Sequence, residues 1–208
     1  MEKGNMENAL RSSELRERYP ELSDPSERTK ETVELFKEIA RESREKGWGV
    51  AFISGLAVDA HFGYLTRNHR DVDLMALREA MSDIKSFLES KKHIVTDPGK
   101  IKGDSFKVDA TDPDHPSWSR GDIHRYSIDE KGNVIIPHGD KELKFSGSID
   151  EITEELSFFG ESARFLKPQY LLEEKAGWVE QIGLENEERN KKEMEKIKFL
   201  IESRGVNE

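Results

Sequence analysis

The sequence predicts an α+β fold, a mixed β-sheet flanked by helices and followed by a helical carboxyl-terminal part. Three observations predict it. Between residues 23 and 90, apolar positions at helical spacing alternate with short apolar runs of strand type. Residues 94–145 hold further strand-like runs, two of them joined as a hairpin, and from residue 167 the pattern is helical. The 208 residues suit one compact unit, divided here into a polar amino-terminal extension (1–22), a main domain (23–160) and a helical segment (161–208).

Taken in order, residues 1–19 mix charges with few apolar positions, so a loosely attached terminus is expected. Ser23, Asp24 and Pro25 read as a helix start, and Val33, Leu35, Phe36 and Ile39 recur on one face of a helix running to Lys46. Gly47 and Gly49 end it, and residues 50–53 form an apolar strand. Ser54 and Gly55 close that strand and open a short helix that Gly63 stops. Residues 72–75 are the next strand. Residues 77–90 are the next helix, with Met81, Ile84, Phe87 and Leu88 on one side. Strands are expected at 94–95 and 106–109 around a turn at Pro98 and Gly99, then a hairpin of 126–128 with 134–136, then a strand at 143–145. Pro168 opens a helix through Tyr170, Leu171, Leu172, Ala176 and Val179, and Met194, Ile197, Leu200 and Ile201 mark a last one.

Composition narrows the chemistry. There is no cysteine, which excludes disulfides, thiolate metal sites and a cysteine nucleophile. A net charge of -10 disfavours nucleic acid as a broad partner, because a phosphate backbone is met by a basic face. The same charge suits a cationic small molecule or metal ions. No apolar stretch reaches the roughly 18 residues of a membrane span, and the amino terminus is too polar for a signal peptide. The expectation is a cytoplasmic protein, monomeric or homodimeric, with no membrane partner.

The informative segment is SGLAVDAHFGYLTRNHRDVDL, residues 54–74. Asp71 and Asp73 alternate on a strand, so both carboxylates share one face, with alpha carbons about 6.5 to 7 Å apart. Paired hard-oxygen donors suit two magnesium ions, which two-metal centres hold about 3.5 to 4 Å apart. A third carboxylate is expected. Asp109, ending a strand-like run, is the first candidate, and Asp112, Asp114 and Asp122 could take its place. Ser54 and Gly55 at a helix start offer backbone N–H groups and a hydroxyl to a triphosphate. The alternatives are an acidic strand end and an ordinary strand-to-helix turn.

These residues, with Ala57, Val58, Asp59, Ala60, Gly63, Thr66, Arg67 and His69, resemble the signature of aminoglycoside and lincosamide nucleotidyltransferases, within the polymerase-beta-like superfamily. The close match covers residues 54–74, about a tenth of the chain. Two departures stand out: Ser54 occupies the position of a usual glycine, and Leu56 that of a usual tryptophan. The resemblance implies a nucleotidyltransferase-type sheet, with 23–160 as the catalytic domain. It implies two magnesium ions on Asp71, Asp73 and Asp109, and a nucleoside triphosphate co-substrate, ATP first. It further implies nucleotide binding by Ser54, Gly55, Arg67, His69 and Lys175.

Each role has a structural alternative: an ion pair for Arg67, a solvated face for Lys175, capping or pairing with Arg67 or Arg70 for Asp59. Trp48, Trp118 and Trp178 read as core or pocket walls. The implied reaction moves a nucleoside monophosphate onto a hydroxyl of an aminoglycoside- or lincosamide-type molecule and releases pyrophosphate. A toxin-like enzyme acting on transfer RNA or a protein, and a non-catalytic nucleotide-binding relative, are the competing readings.

Overall fold

The computed structural model describes residues 13–96, 105–109, 120–138, 141–182 and 187–204. Among the described residues, nine strands build one mixed sheet in the order β3-β4-β5-β2-β1-β9-β8, with the β6–β7 hairpin branching from β5. The amino-terminal side is less loose than its composition suggests. Residues 13–18 form α1, Leu15 and Tyr19 pack against the core, and Tyr19 meets Phe62 and Phe199 edge-on.

Helix α2 spans Glu27–Lys46. It starts later than residues 23–25 suggest, because the Ser26 hydroxyl accepts from the Thr29 N–H while the Ser26 N–H donates to Asn68 Oδ1. Gly47, left-handed at φ 68, ends it. Its apolar side lays Phe36 against Phe52 and Phe165, joining helix and sheet in an aromatic cluster. Strand β1 is Ala51–Phe52 and leads into α3, Ser54–Phe62, every residue of which is buried. Strand β2, Val72–Leu77, runs antiparallel to β1 and parallel to β5, Gly121–Ile128.

A 3-10 turn at Arg78–Ala80 precedes α4, Met81–Ser90, whose Phe87 packs on the buried Trp48. Trp118 and the side chain of Trp178 lie outside the described residues. Strands β3 (Val95–Thr96) and β4 (Ser105–Val108) pair antiparallel, and the Pro98 and Gly99 turn between them lies outside the described residues. The β5–β6 hairpin, with β6 at Val134–His138, is closed by Asp129, which accepts from the Lys131 and Asn133 N–H groups. Strand β7 is Lys141–Phe145.

Two strands escaped the pattern reading. After the four-residue α5, Ile149–Ile152, come β8 (Thr153–Phe158) and β9 (Glu161–Leu166), a tight hairpin turning through Phe159 and Gly160. Strand β9 pairs in parallel with β1, Phe165 opposite Phe52. The expected boundary at residue 160 therefore falls inside a hairpin of the central sheet. Helix α6 (Pro168–Ile182) and helix α7 (Glu187–Arg204) follow, and both pack on α3. Among the described residues, no helix is long and apolar enough to cross a membrane.

Candidate active site

The site forms where β1 ends and β2 begins. The Ile53 N–H donates to the Asp73 carbonyl at 3.0 Å, which fastens the start of α3 beside the two aspartates. Asp71 sits just before β2 and Asp73 inside it, two residues apart and so on one face. On the neighbouring strand, Asp122 is the register partner of Asp73. Register partners in a sheet project to the same side, so Asp122 joins that face. Lys107, opposite Asp122 on β4, brings its ammonium 3.4 Å from the Asp122 carboxylate.

Removal from water, then the charges of Asp71 and Asp122, push the Asp73 carboxyl well above the usual carboxylate range, against the pull of Lys175. This is the electrostatic condition a bound cation relieves. No ready-made cage of three His, Asp or Glu side chains exists among the described residues. By chemistry the donor set, carboxylate oxygens of Asp71, Asp73 and Asp122, fits magnesium.

Asp109 is directed elsewhere. It leaves β4 in a left-handed conformation (φ 50), and its carboxylate accepts from His93 Nδ1 at 2.5 Å and the Ile94 N–H at 2.7 Å. Arg120 adds a contact at 3.8 Å, while Arg120 and His93 themselves reach Glu31 and Glu38 of α2. Asp109 thus belongs to a cluster tying the β4 end to α2. Asp112 and Asp114 lie outside the described residues.

Ser54 and Gly55, the residues expected to cradle phosphate, open α3. Ser54 adopts a left-handed φ of 57, a conformation that favours glycine and costs another residue about 1 kcal/mol. Its N–H donates to Glu174 Oε2 at 3.1 Å, and its hydroxyl donates to Glu174 Oε1. Gly55 allows a close approach: a Cβ there would lie 2.0 Å from Arg67 Nη2. Arg67 pairs with Glu193 of α7 at 2.8 Å. Burial disfavours the Arg67 charge, yet Glu193, Asp59 and Asp71 keep its proton affinity above the ordinary value.

His69 and Asp59 shape the loop between α3 and β2. The buried Asp59 carboxylate accepts from the Thr66 N–H (2.8 Å), the Thr66 hydroxyl (2.5 Å) and His69 Nε2 (2.7 Å). The His69 N–H in turn donates to the Thr29 hydroxyl, anchoring the loop to α2. The His69 ring therefore faces Asp59.

Lys175 comes from α6 and is buried, with its ammonium 3.5 Å from Glu193. Burial works against its charge, but Glu174, Glu193 and Asp73 raise its proton affinity overall. Pattern reading missed Glu174 and Glu193. Both sit in helices crowded with Glu and Lys, where nothing in the spacing separates a buried carboxylate from a solvated one. A separate cavity of about 450 Å³, lined by Gly49, Leu77, Tyr126 and Arg164 among others, opens at the other end of the sheet, and none of these site residues borders it.

A carboxylate face thus lies beside the helix start at Ser54, on a mixed sheet of this order. The family described as aminoglycoside-2''-adenylyltransferase matches residues 35–133. The chain is similar to that family over just under half of its length. Three solved structures share the fold. The lincomycin-bound crystal structure of the lincosamide antibiotic adenylyltransferase LnuA is 16% identical with a TM-score of 0.58, over 80% of this chain and 95% of that one. The solution structure of the antibiotic-resistance factor ANT(2'')-Ia is 15% identical with a TM-score of 0.59, over 86% of each chain. The crystal structure of ANT(2'')-Ia with adenylyl-2''-tobramycin is 15% identical with a TM-score of 0.56, over 86% and 91%. No curated protein matches the chain by sequence.

Proposed function

We propose that this protein transfers a nucleoside monophosphate, AMP from ATP, onto a hydroxyl of a cationic small molecule of aminoglycoside or lincosamide type. The observation that carries the reading is the register of Asp73 with Asp122, directly beside the Ser54–Gly55 helix start. Asp71, Asp73 and Asp122 would hold two magnesium ions, with Asp122 in the part that Asp109 was expected to play. When bound, magnesium lowers the proton affinity of the acceptor hydroxyl and neutralises charge on the departing pyrophosphate.

The residues of the chain bind and orient. Ser54 and Gly55 offer their donors to the terminal phosphates, while Lys175 and Arg67 supply positive charge beside them. The acceptor oxygen forms a bond to the α-phosphorus, the bond from that phosphorus to the β-phosphate oxygen breaks, and the hydroxyl proton leaves to a carboxylate of the same face. The net charge of -10 favours a cationic acceptor over a polynucleotide.

The test mixes the protein with magnesium, each nucleoside triphosphate and a panel of aminoglycosides, lincosamides and bulk transfer RNA, and reads acceptor mass and pyrophosphate. One added nucleotide on a small-molecule acceptor is the expected result. Labelling of transfer RNA alone would assign the protein to the macromolecule-modifying class, and no transfer to any acceptor would count against the reading.

A further inference from the structure

Two buried carboxylates lie on residues proposed above to bind the phosphates of a nucleotide. Glu174, 1% exposed, takes the Ser54 N–H with one oxygen and the Ser54 hydroxyl with the other. Glu193, 5% exposed, bridges Arg67 at 2.8 Å and Lys175 at 3.5 Å. The donors and cations suited to a phosphate chain are thus engaged by anions of the chain itself. Burying a carboxylate is costly unless charge and hydrogen bonds compensate, and these partners supply both. A triphosphate offers the same donors the same chemistry with more negative charge. Phosphate and carboxylate cannot both sit on Ser54, because two anions at hydrogen-bond distance of one donor pair repel strongly in a buried site.

We propose that Glu174 is a built-in competitor of the nucleotide: its carboxylate stands in for a phosphate on Ser54 in the nucleotide-free chain and must leave those donors when a triphosphate binds. This rests on the nucleotidyltransferase reading above and adds the group that sets nucleotide affinity. Only the fraction of molecules with Ser54 released is competent, so apparent affinity is reduced by that fraction. The contact also links α6 to α3, so nucleotide entry loosens one tether of the carboxyl-terminal helices.

The experiment is calorimetric titration of wild type, Glu174→Gln and Glu174→Ala with ATP and with inorganic tripolyphosphate, each with magnesium and with a chelator. Glu174→Gln keeps the side-chain shape and removes the charge, and thermal melting verifies that each variant is folded. The proposal expects both variants to bind ATP and tripolyphosphate about tenfold tighter than wild type or better, with or without magnesium. A folded Glu174→Gln protein that binds no tighter, while wild type binds ATP and transfers nucleotide, overturns the proposal alone and leaves Glu174 a structural tether. Absence of ATP and tripolyphosphate binding in all three proteins overturns the nucleotidyltransferase reading, and the proposal with it.

Discussion

The segment from β1 to β2 and the pair of carboxyl-terminal helices build the same site by different means. The first is self-contained: Asp59, Thr66 and His69 lie within ten residues of one another and bind one another directly. The second contributes Glu174, Lys175 and Glu193 across long sequence separations, Glu174 reaching Ser54 over 120 residues and Glu193 reaching Arg67 over 126. A motif written in one short stretch needs local hydrogen bonds to hold its shape. A charge cluster assembled from distant helices needs the whole fold first. The first kind is legible in a sequence and the second is not.

The largest effect should come from the carboxylate face. Asp73→Asn is expected to lower nucleotide transfer by roughly a thousandfold while circular dichroism and melting stay close to wild type, because the substitution relieves charge repulsion at Asp73 as it removes a proposed metal ligand. Retained activity would place the chemistry elsewhere. Next in size is the local knot: Asp59→Ala leaves the Thr66 N–H and His69 without their acceptor in a buried setting, and should cost about 4 kcal/mol in denaturant unfolding. A loss under about 1 kcal/mol would mean that the loop does not depend on it.

His61 joins the two regions, since it lies on α3, donates from Nε2 to the Leu166 carbonyl of β9 and faces Glu154. Burial first, with Arg204 adding to it, lowers its pKa from 6.5 to about 4. Between those values the unfolded chain takes up a proton that the folded chain refuses, so stability is full above pH 6.5 and falls as pH drops toward 4. The expected loss is about 3 kcal/mol, and below pH 4 this residue adds nothing further. Urea unfolding from pH 7 to 4 checks it, with His61→Asn expected to show a correspondingly flatter profile. The smallest effect belongs to Arg204→Ala, which removes a partly exposed pair with Glu154 between α7 and β8, at a cost of under about 1 kcal/mol.

The same contrast explains what the residues revealed before the structure. Helix α2, the β1–α3–β2 unit and the β5–β6 hairpin were legible because caps, glycines and apolar spacing are local signals. The β8–β9 hairpin was missed although Leu156, Phe158, Ala163 and Phe165 alternate, because the charged residues between them mask the period and Phe159 with Gly160 is an unusual turn pair. A loosely attached terminus was expected over residues 1–19, yet Tyr19 is gathered in by Phe62 and Phe199, a partner 180 positions away. Asp71 and Asp73 were singled out by their spacing, and the structure places them on one face. Asp122 could not be preferred to Asp109 from the sequence, since strand register decides which carboxylate faces Asp73 and a single left-handed residue turns Asp109 away.

The central claim is that the reactive face consists of Asp71, Asp73 and Asp122. Its most direct test is the rate of nucleotide transfer by Asp122→Asn and Asp109→Asn, measured side by side with melting temperatures of both. The account predicts that Asp122→Asn loses transfer as Asp73→Asn does, with its fold intact, whereas Asp109→Asn keeps most of its transfer and melts at a lower temperature through its weakened bonds to His93 and Ile94. Full transfer by Asp122→Asn, with transfer abolished in a folded Asp109→Asn protein, would contradict it.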